Sequence, residues 1–432
     1  MGTETTPPHT QALLLLCGHF GGASSDVHPL TLREYNALAE WLHGREMRPE
    51  DLLDREGAEA AMASGPVKDG PTRLPALLGR GVALGFAVDG WAREGIWVVG
   101  RGDERYPRPL RARLSRGAPV LLFGVGSVLN LNARAIGAVG SRDADLDALR
   151  FTKALGSLCA ESGWAIVSGA ARGVDQEAMM AAIESGGVAV GVLAEGVSKP
   201  SRSKLFRRAV ADGALTLVST LTPDARWRAG QAMARNKLVY AMSQATVVVS
   251  SGTDGGTWSG ATENLKHRWT PVWVRAGAGV PAGNAGLIAE GAHPLFGDQL
   301  SCQSLFDDLV AVLRPTSGGA SDRQPHPMHP PAAPAPSLFD SIRDDHPAPA
   351  AGVSGPSSVE EPSASEAPVQ VSTDAFGAVW PLIQAALGEP RTEQEVADVL
   401  CVVPAQARVW LKRAAEEGLT VRRSRPVRYE LP

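Results

Sequence analysis

The sequence predicts an α/β fold, a doubly wound Rossmann-like parallel sheet, with a helical N-terminal domain and a C-terminal winged-helix module. The first observation is that apolar runs of strand length alternate with segments of helical periodicity between residues 134 and 314. Such alternation favours a parallel sheet with helices on both faces. The second observation is a pair of glycine-rich turns, each directly after a strand-like run. The six predicted strands cover residues 135–139, 165–167, 188–193, 214–218, 246–250 and 272–274.

Helices are predicted between these strands, wherever apolar residues recur at helical spacing. In the first of them, Leu149, Leu155 and Leu158 suit one buried face. A segment of about 180 residues suits one six-stranded doubly wound domain. The predicted helices cover residues 146–161, 173–184, 201–211, 236–242, 260–267 and 304–313.

The segments on either side of this domain differ from it in composition. Before residue 85 the pattern is mainly helical, and Thr31 with Glu34 is a capping-box sequence at one helix start. Residues 315–372 are rich in proline, alanine and serine, which is typical of a disordered linker. The predicted segments are a helical N-terminal domain (1–84), a lead-in segment (85–133), the Rossmann-like domain (134–314), the linker (315–372) and a winged-helix module (373–432).

The winged-helix prediction depends on three short helical patterns followed by a hairpin pattern near the end of the chain. The hairpin carries Arg422, Arg423, Arg425 and Arg428. It is interpreted either as a contact with DNA or as a solvated hairpin on a dimerisation or protein-binding module.

Bulk composition limits the classes of function. The chain has 432 residues, 44% of them apolar, and a net charge of −4, so nucleic-acid binding must depend on a local basic patch. The four cysteines are widely separated, which argues against a disulfide framework or a cysteine zinc site and favours the cytoplasm. We expect no signal peptide, and no apolar stretch is long enough to cross a membrane.

The two glycine-rich turns carry one arginine each, Arg142 after the first predicted strand and Arg172 after the second. Parallel strands end at the same sheet edge, which is where ligands bind in open α/β sheets. Glycine lets the backbone approach a ligand closely, and the helix N-terminus that follows favours an anion. The turns therefore predict a site for phosphates, those of a nucleic acid.

Motifs for other ligands are absent from the sequence. The turn at 137–142 lacks the G-x-G-x-x-G spacing, and no acid follows the second strand to bind a ribose. The sequence contains no G-x-x-x-x-G-K-[ST], G-x-S-x-G or H-E-x-x-H motif. We therefore expect no cofactor, no metal and no catalytic residue.

Basic residues concentrate between positions 198 and 237, a segment with nine basic residues and two acids. This clustering predicts contacts with backbone phosphates, although a solvated helix face explains Arg207 and Arg208 equally well. Trp227 lies within the cluster and is a candidate for stacking on a base, with packing against Pro223 as the alternative. The nine residues are Lys199, Arg202, Lys204, Arg207, Arg208, Arg226, Arg228, Arg235 and Lys237.

Several motifs, in the correct order, resemble those of the DNA-processing protein A family, also called DprA or Smf. The most specific is S-G-A-A-R-G-V-D at 168–175, which resembles S-G-L-A-R-G-I-D of the family. The family often carries a helical N-terminal domain and a C-terminal winged helix as well. The other matching segments are 102–110 with 119–124, G-A-V-G-S-R at 137–142, R-N-K-L-V-Y-A-M-S at 235–243, G-G-T at 255–257 and 283–292.

The resemblance implies a protein that is not an enzyme. It would bind single-stranded DNA, form a homodimer and help to load a RecA-like recombinase during DNA uptake, transformation or recombination. Asp175 and Asn236 are implied to hold the loops in shape. The residues implied to face the DNA backbone are Ser141, Arg142, Ser168, Gly169, Arg172, Gly173, Arg235 and Lys237, with Gly256 and Thr257 from the turn at 255–257.

The sequence departs from the family pattern at several positions. One departure removes a phenylalanine that is a candidate for base stacking, so Trp227 becomes the alternative. The departures are Met179 for His, Ala232-Met233 for Phe-Pro, Ser250-Ser251 for Glu-Ala and Arg275-Ala276 for Pro-Gly.

Other functions therefore stay open. One is binding or hydrolysis of a nucleotide derivative, with Glu263 as a general acid or base. Another is a DprA-like component of a genome-defence system, and a third is a scaffold for protein partners.

Overall fold

The structure, a computed structural model, describes residues 6–20, 28–301, 305–311, 375–400, 402, 404–424 and 427–431. The predicted linker at 315–372 lies outside these residues. The helices are α1 (Pro8–Cys17), α2 (Leu32–His43), α3 (Arg55–Ser64), α4 (Gly70–Leu78), α5 (Gly81–Arg93), α6 (Arg108–Leu114), α7 (Leu146–Glu161), α8 (Val174–Glu184), α9 (Ser198–Ser201), α10 (Arg207–Ala211), α11 (Ala229–Met242), α12 (Gly255–His267), α13 (Ala282–Ala289), α14 (Leu305–Ala311), α15 (Ala375–Ala386), α16 (Glu393–Val399) and α17 (Pro404–Glu416).

The strands fall into one large sheet and one hairpin. They are β1 (Trp97–Gly100), β2 (Leu121–Val125), β3 (Ala135–Gly140), β4 (Ala165–Ser168), β5 (Ala189–Val192), β6 (Leu215–Ser219), β7 (Ala245–Ser250), β8 (Val272–Arg275), β9 (His293–Leu295), β10 (Val421–Ser424) and β11 (Val427–Glu430).

The large sheet has nine strands in the order β1-β2-β6-β5-β4-β3-β7-β8-β9. All pairs from β6 to β9 are parallel, whereas β1 and β2 join the edge in antiparallel fashion. The chain first builds one side of β3 with β4, β5 and β6, and then crosses to the other side with β7. This reversal opens a crevice at the carboxyl ends of β3 and β7, the usual ligand position in such folds.

The mixed α/β architecture with a mostly parallel sheet confirms the predicted fold class at this coarse level, but the described part of residues 134–314 contains seven strands, β3 to β9, and not the expected six. β1 and β2 come from the lead-in segment, and their antiparallel pairing extends the sheet. β9 was not predicted, because three residues are too short to show a periodicity and one of them is Pro294. Proline is tolerated there since β9 is an edge strand.

Helix boundaries differ from the prediction where small residues hide the apolar pattern. α7 has the predicted bounds, and its N-cap Asp145 accepts a hydrogen bond from the Ala148 N–H at 2.6 Å. By contrast, the helix predicted over 201–211 is helical only in α10, because α9 ends at Ser201, and α13 was not predicted. α11 and α12 begin earlier than predicted, in Ala-Gly-Gln and Gly-Gly-Thr sequences that carry no apolar stripe.

Apolar side chains cover both faces of the large sheet. On one face, Phe151 and Leu155 of α7 and Ala178 of α8 belong to a single buried cluster. On the other face, Leu238 of α11 and Leu287 of α13 belong to a second cluster with the inner residues of the parallel strands. The N-terminal helices form a third cluster around the Leu13–Leu16 run and pack on β2. Because helices pack on both faces of the sheet, the strand ends that carry the site are fixed in position.

The C-terminal helices α15–α17 and the β10–β11 hairpin form a fourth cluster. It includes Phe86 of α5, and the ring centroids of Phe86 and Trp410 are 3.9 Å apart. Two of the hairpin arginines bond within this region: Arg423 pairs with Glu430 at 2.6 Å, and Arg428 donates to the Pro390 carbonyl. The assignment as a winged helix stays a prediction.

Two negative findings apply to the described part of the chain. None of its helices combines the length and apolar character needed to cross a bilayer. It also brings together no group of three or more His, Cys, Asp or Glu side chains able to hold a metal ion.

Candidate nucleic-acid interface

A pocket of about 570 Å³ lies at the carboxyl ends of β3 and β7. Four parts of the chain form its walls: the turn after β3, the turn between β4 and α8, the turn after β7 with the start of α12, and α11 with the loop before it. The predicted site residues that line it are Ser141, Arg142, Asp175, Trp227, Arg235, Asn236, Gly256 and Thr257.

The turn after β3 is fixed by hydrogen bonds to its surroundings. The Ser141 N–H donates to the Ser250 carbonyl at 2.9 Å, which joins the turn to the end of β7. The Ser141 hydroxyl accepts from the Asp143 N–H at 3.1 Å. This geometry leaves the Arg142 side chain exposed at the mouth of the pocket.

Arg142 and Trp227 meet across this mouth. The Arg142 guanidinium carbon lies 5.9 Å from the centre of the Trp227 ring, within the range of a cation–π contact. Trp227 is 48% exposed, so the structure leaves a large aromatic surface beside a cation. Within the described residues, no acid forms an ion pair with Arg142.

Gly173 allows the turn before α8 to lie directly against the turn after β3. Its φ is +86° and its ψ −133°, a conformation that side chains with a Cβ rarely adopt. A Cβ at this position would also overlap the carbonyl oxygens of Ser141 and Arg142. The Val174 N–H donates to the Ser141 carbonyl at 3.3 Å, so the two turns are bonded as well as packed.

A buried ion pair lies beneath the pocket. Arg235 and Asp175 are 3.9 Å apart, and their side chains are only 8% and 9% exposed. Burial raises the pKa of Asp175. The charge of Arg235 and backbone hydrogen bonds from Ala171 and Gly140 act in the opposite direction. Burial likewise lowers the pKa of Arg235, and Asp175 opposes that shift. The pair therefore compensates two charges that would each be costly alone.

Asn236 joins α11 to the start of α12. Its Nδ2 donates to the Gly256 carbonyl at 2.9 Å, and Gly256 and Gly260 pack close to the same side chain. Asp254 precedes α12 but makes no side-chain cap, so the first N–H groups of this helix stay available at the pocket. A helix N-terminus of this kind favours an anion. The loop-structuring roles expected for Asn236 and Asp175 stay predictions.

Two of the predicted DNA contacts are buried instead. Ser168 has no exposed surface, and its hydroxyl donates to the Ala138 carbonyl at 2.5 Å. Its side chain therefore holds β4 against β3 and does not reach the pocket, which corrects the expected contact with DNA. Gly169 is also buried, and a Cβ there would overlap Arg235 and Asp175. Its small size makes room for the ion pair.

Two basic residues predicted to contact DNA, Arg172 and Lys237, are not among the residues that line the pocket. Arg172 is exposed, but it pairs with Asp143 at 2.5 Å. Lys237 lies on α11 and is not among the residues that line the pocket. Burial lowers the pKa of Lys237, and the charge of Glu263 opposes that shift. In the wider basic segment, Arg202 pairs with Glu94 at 2.6 Å. The sequence cluster is thus spread over several surfaces.

Two acids of the pocket, Asp143 and Asp254, were not among the residues predicted for the site. Asp143 and Asp254 line it together with Tyr240 and Met233. Asp143 is adjacent to Arg142 in the sequence and could have been included, because the same turn carries both. Met233 belongs to the Ala232-Met233 pair that stands where the family has Phe-Pro, whereas Tyr240 was not identifiable, since its position depends on how α11 packs on the sheet.

Part of this chain is similar to a known protein family and to known proteins. Residues 97–305 match the family described as DNA recombination-mediator protein A. A putative DNA processing protein DprA of Mycobacterium tuberculosis is 30% identical over 208 residues, 47% of this chain and 51% of that protein. DNA processing protein DprA of Bacillus subtilis is 24% identical over 262 residues, 60% of this chain and 82% of that protein. The chain thus spans about half the length of the mycobacterial relative.

Among solved structures, the X-ray structure of DNA processing protein A from Streptococcus pneumoniae superposes with a TM-score of 0.51 at 21% identity. The match covers 68% of this chain and 97% of the pneumococcal chain. At this level of identity the likeness concerns the fold.

Proposed function

This chain belongs to the DNA recombination-mediator protein A (DprA/Smf) family, and on that premise we propose that it binds single-stranded DNA in DNA processing and recombination. The observation that carries the proposal is the pairing of Arg142 with the exposed ring of Trp227 at the pocket mouth. A cation beside an aromatic surface matches the two repeating parts of a single strand, its phosphates and its bases.

The proposed mode of binding follows from the walls of the pocket. A phosphate lies between Arg142 and the N–H groups at the start of α12, where Asp254 provides no cap. The adjacent base stacks on Trp227, which replaces the family's phenylalanine as the aromatic platform. Gly256 and Thr257 bring the backbone close to the strand. Stacking and phosphate contacts accept any base, so we expect little sequence preference.

The remaining parts of the proposal come from the family. We propose a binding role rather than catalysis, a homodimer, a cytoplasmic location and a RecA-like recombinase as partner. The segments at 1–84, 85–133, 134–314, 315–372 and 373–432 are proposed as its domains, with a winged helix at the end.

The main alternative, hydrolysis of a nucleotide derivative, receives less support. Its candidate acid or base, Glu263, is exposed on α12 and is not among the residues that line the pocket. The acids that do line it are largely engaged, Asp143 with Arg172 and Asp175 with Arg235. A role in genome defence would use the same DNA-binding surface and stays a narrower version of the proposal.

The salt dependence of binding tests whether phosphates are neutralised. If about four phosphates of a single strand are contacted, log K should fall with log salt at a slope of about −3, from about −0.7 per phosphate. The measurement is fluorescence anisotropy of a labelled oligonucleotide at several salt concentrations. A slope near zero, or equal affinity for a mononucleotide, would contradict the proposal.

Replacement of Arg142 tests the site itself. We expect Arg142→Ala to weaken single-strand binding by at least about 1 kcal/mol, or roughly fivefold, because a charge-assisted hydrogen bond is lost. The Tm should barely change, since the side chain is exposed. Arg207→Ala is the matched control: Arg207 is an exposed arginine on α10, outside the pocket, and its loss should leave affinity unchanged. An equal loss in both variants would indicate a diffuse charge effect.

A further inference from the structure

A second cavity of about 380 Å³ lies on the other side of Arg235. Its walls include Leu193 after β5, Leu221 after β6, and Gln231 with Leu238 on α11. It therefore opens at the same sheet edge as the first pocket but beside different strands. Arg235 lines both cavities and forms the wall between them. The volume falls within the range of small-ligand pockets, which begins at about 300 Å³.

Two buried polar atoms of residues that line this cavity have no hydrogen-bond partner within the described part of the chain. They are Nε of Arg235, a donor, and Oε1 of Gln231, an acceptor. The Arg235 residue is only 8% exposed. The two residues are four positions apart on α11, so they lie on the same face of the helix. Since buried polar groups are normally paired, an unpaired donor and an unpaired acceptor one helical turn apart point to a ligand that offers the complement.

The chemistry of the walls narrows the class of ligand. A phosphodiester of the strand offers only acceptors, so it cannot pair with the Gln231 oxygen. A nucleobase offers a donor next to an acceptor along its Watson–Crick edge, which suits Gln231 and Arg235 together. Leu193, Leu221 and Leu238 supply apolar contact for its flat ring. Arg226 is exposed and lines the same cavity, where it suits the phosphate attached to that base.

We propose that this cavity is a base-binding subsite for a nucleotide of the same single strand that contacts Arg142 and Trp227. The inference rests on the proposed function, because the strand is what brings a base to the cavity. One nucleotide stacks on Trp227, and a neighbouring one turns its base into the cavity across Arg235. Every nucleobase has a donor beside an acceptor, so the subsite distinguishes a base from a bare backbone without selecting a sequence.

The test compares two strands of equal length, one of thymidines and one of abasic tetrahydrofuran units. Wild type should prefer the thymidine strand. Gln231→Leu should bind the thymidine strand about fivefold more weakly, because the hydrogen bond and the fit of the base are lost, and should bind the abasic strand as wild type does. Its Tm should be unchanged or higher, since the replaced oxygen has no partner.

A second variant separates the base from the phosphate. Arg226→Ala should weaken binding of both strands by the same factor, because both carry phosphates. If wild type binds the thymidine strand and Gln231→Leu binds it equally well, the inference is wrong while the proposed function stands. Equal weakening of both strands by Gln231→Leu would also overturn the inference. If wild type binds neither strand, the proposed function is wrong and the subsite with it.

Discussion

Gly173→Ala is expected to lower the free energy of unfolding by about 3 kcal/mol and to weaken single-strand binding by at least about tenfold. The added methyl group meets two penalties. The backbone conformation, with φ of +86°, is unfavourable for alanine, and the Cβ would overlap the carbonyls of Ser141 and Arg142. Relief requires the turn after β3 to move, and that turn carries Arg142.

Gly186→Ala is the matched control for this prediction. Gly186 has a similar φ of +81°, but a Cβ there would meet no atom within 4 Å. Its substitution should cost only the backbone term, about 1 kcal/mol, and should not change DNA binding. Urea unfolding and anisotropy of both variants give the comparison. If the free energy of unfolding falls by the same amount in both variants, the close contact between the turns does not contribute to stability.

Arg235→Met is expected to lower the free energy of unfolding by about 3–5 kcal/mol, because it leaves Asp175 buried without its counter-charge. The double variant Asp175→Asn with Arg235→Met should recover most of this loss. Asparagine keeps an acceptor for the backbone N–H groups of Ala171 and Gly140 but carries no charge. A double variant that is as unstable as the sum of the single variants would show that the two charges do not interact.

The pH dependence of the Arg235→Met variant follows from the same pair. Burial already raises the pKa of Asp175 in the folded protein, and loss of Arg235 should raise it further. For an acid with a raised folded pKa, protonation removes the penalty, so the destabilisation should be largest near neutral pH. It should shrink as the pH falls and Asp175 becomes protonated. A destabilisation that grows as the pH falls would contradict the prediction that Asp175 is the group responsible.

Both substitutions act on the support of the site rather than on its surface. Gly173 sets the distance between two turns, and the Arg235–Asp175 pair fills the space beneath them with help from Gly169. Arg235 is also the wall between the two cavities, so the Arg235→Met variant should affect base binding as well as stability. The Arg142→Ala variant, by contrast, should change binding alone.

The sequence determined those features that depend on neighbouring residues. Short apolar runs predicted β3 and β4, and helical spacing predicted α7, each within about one residue. The position of Arg142 at the sheet edge also followed from sequence, since parallel strands end at the same side. Motif order predicted the family, which the comparisons confirm.

Only the tertiary structure decided which candidate residues reach the pocket. Ser168 and Arg172 both lie in the family motif, yet one is buried against β3 and the other pairs with Asp143. The physical reason is that burial and ion pairing depend on distances between segments far apart in sequence. Local patterns contain no information on those distances. For the same reason the cavity lined by Gln231 and Arg235 has no sequence signature: α11 and the loops after β5 and β6 form its walls together, although they are far apart in sequence.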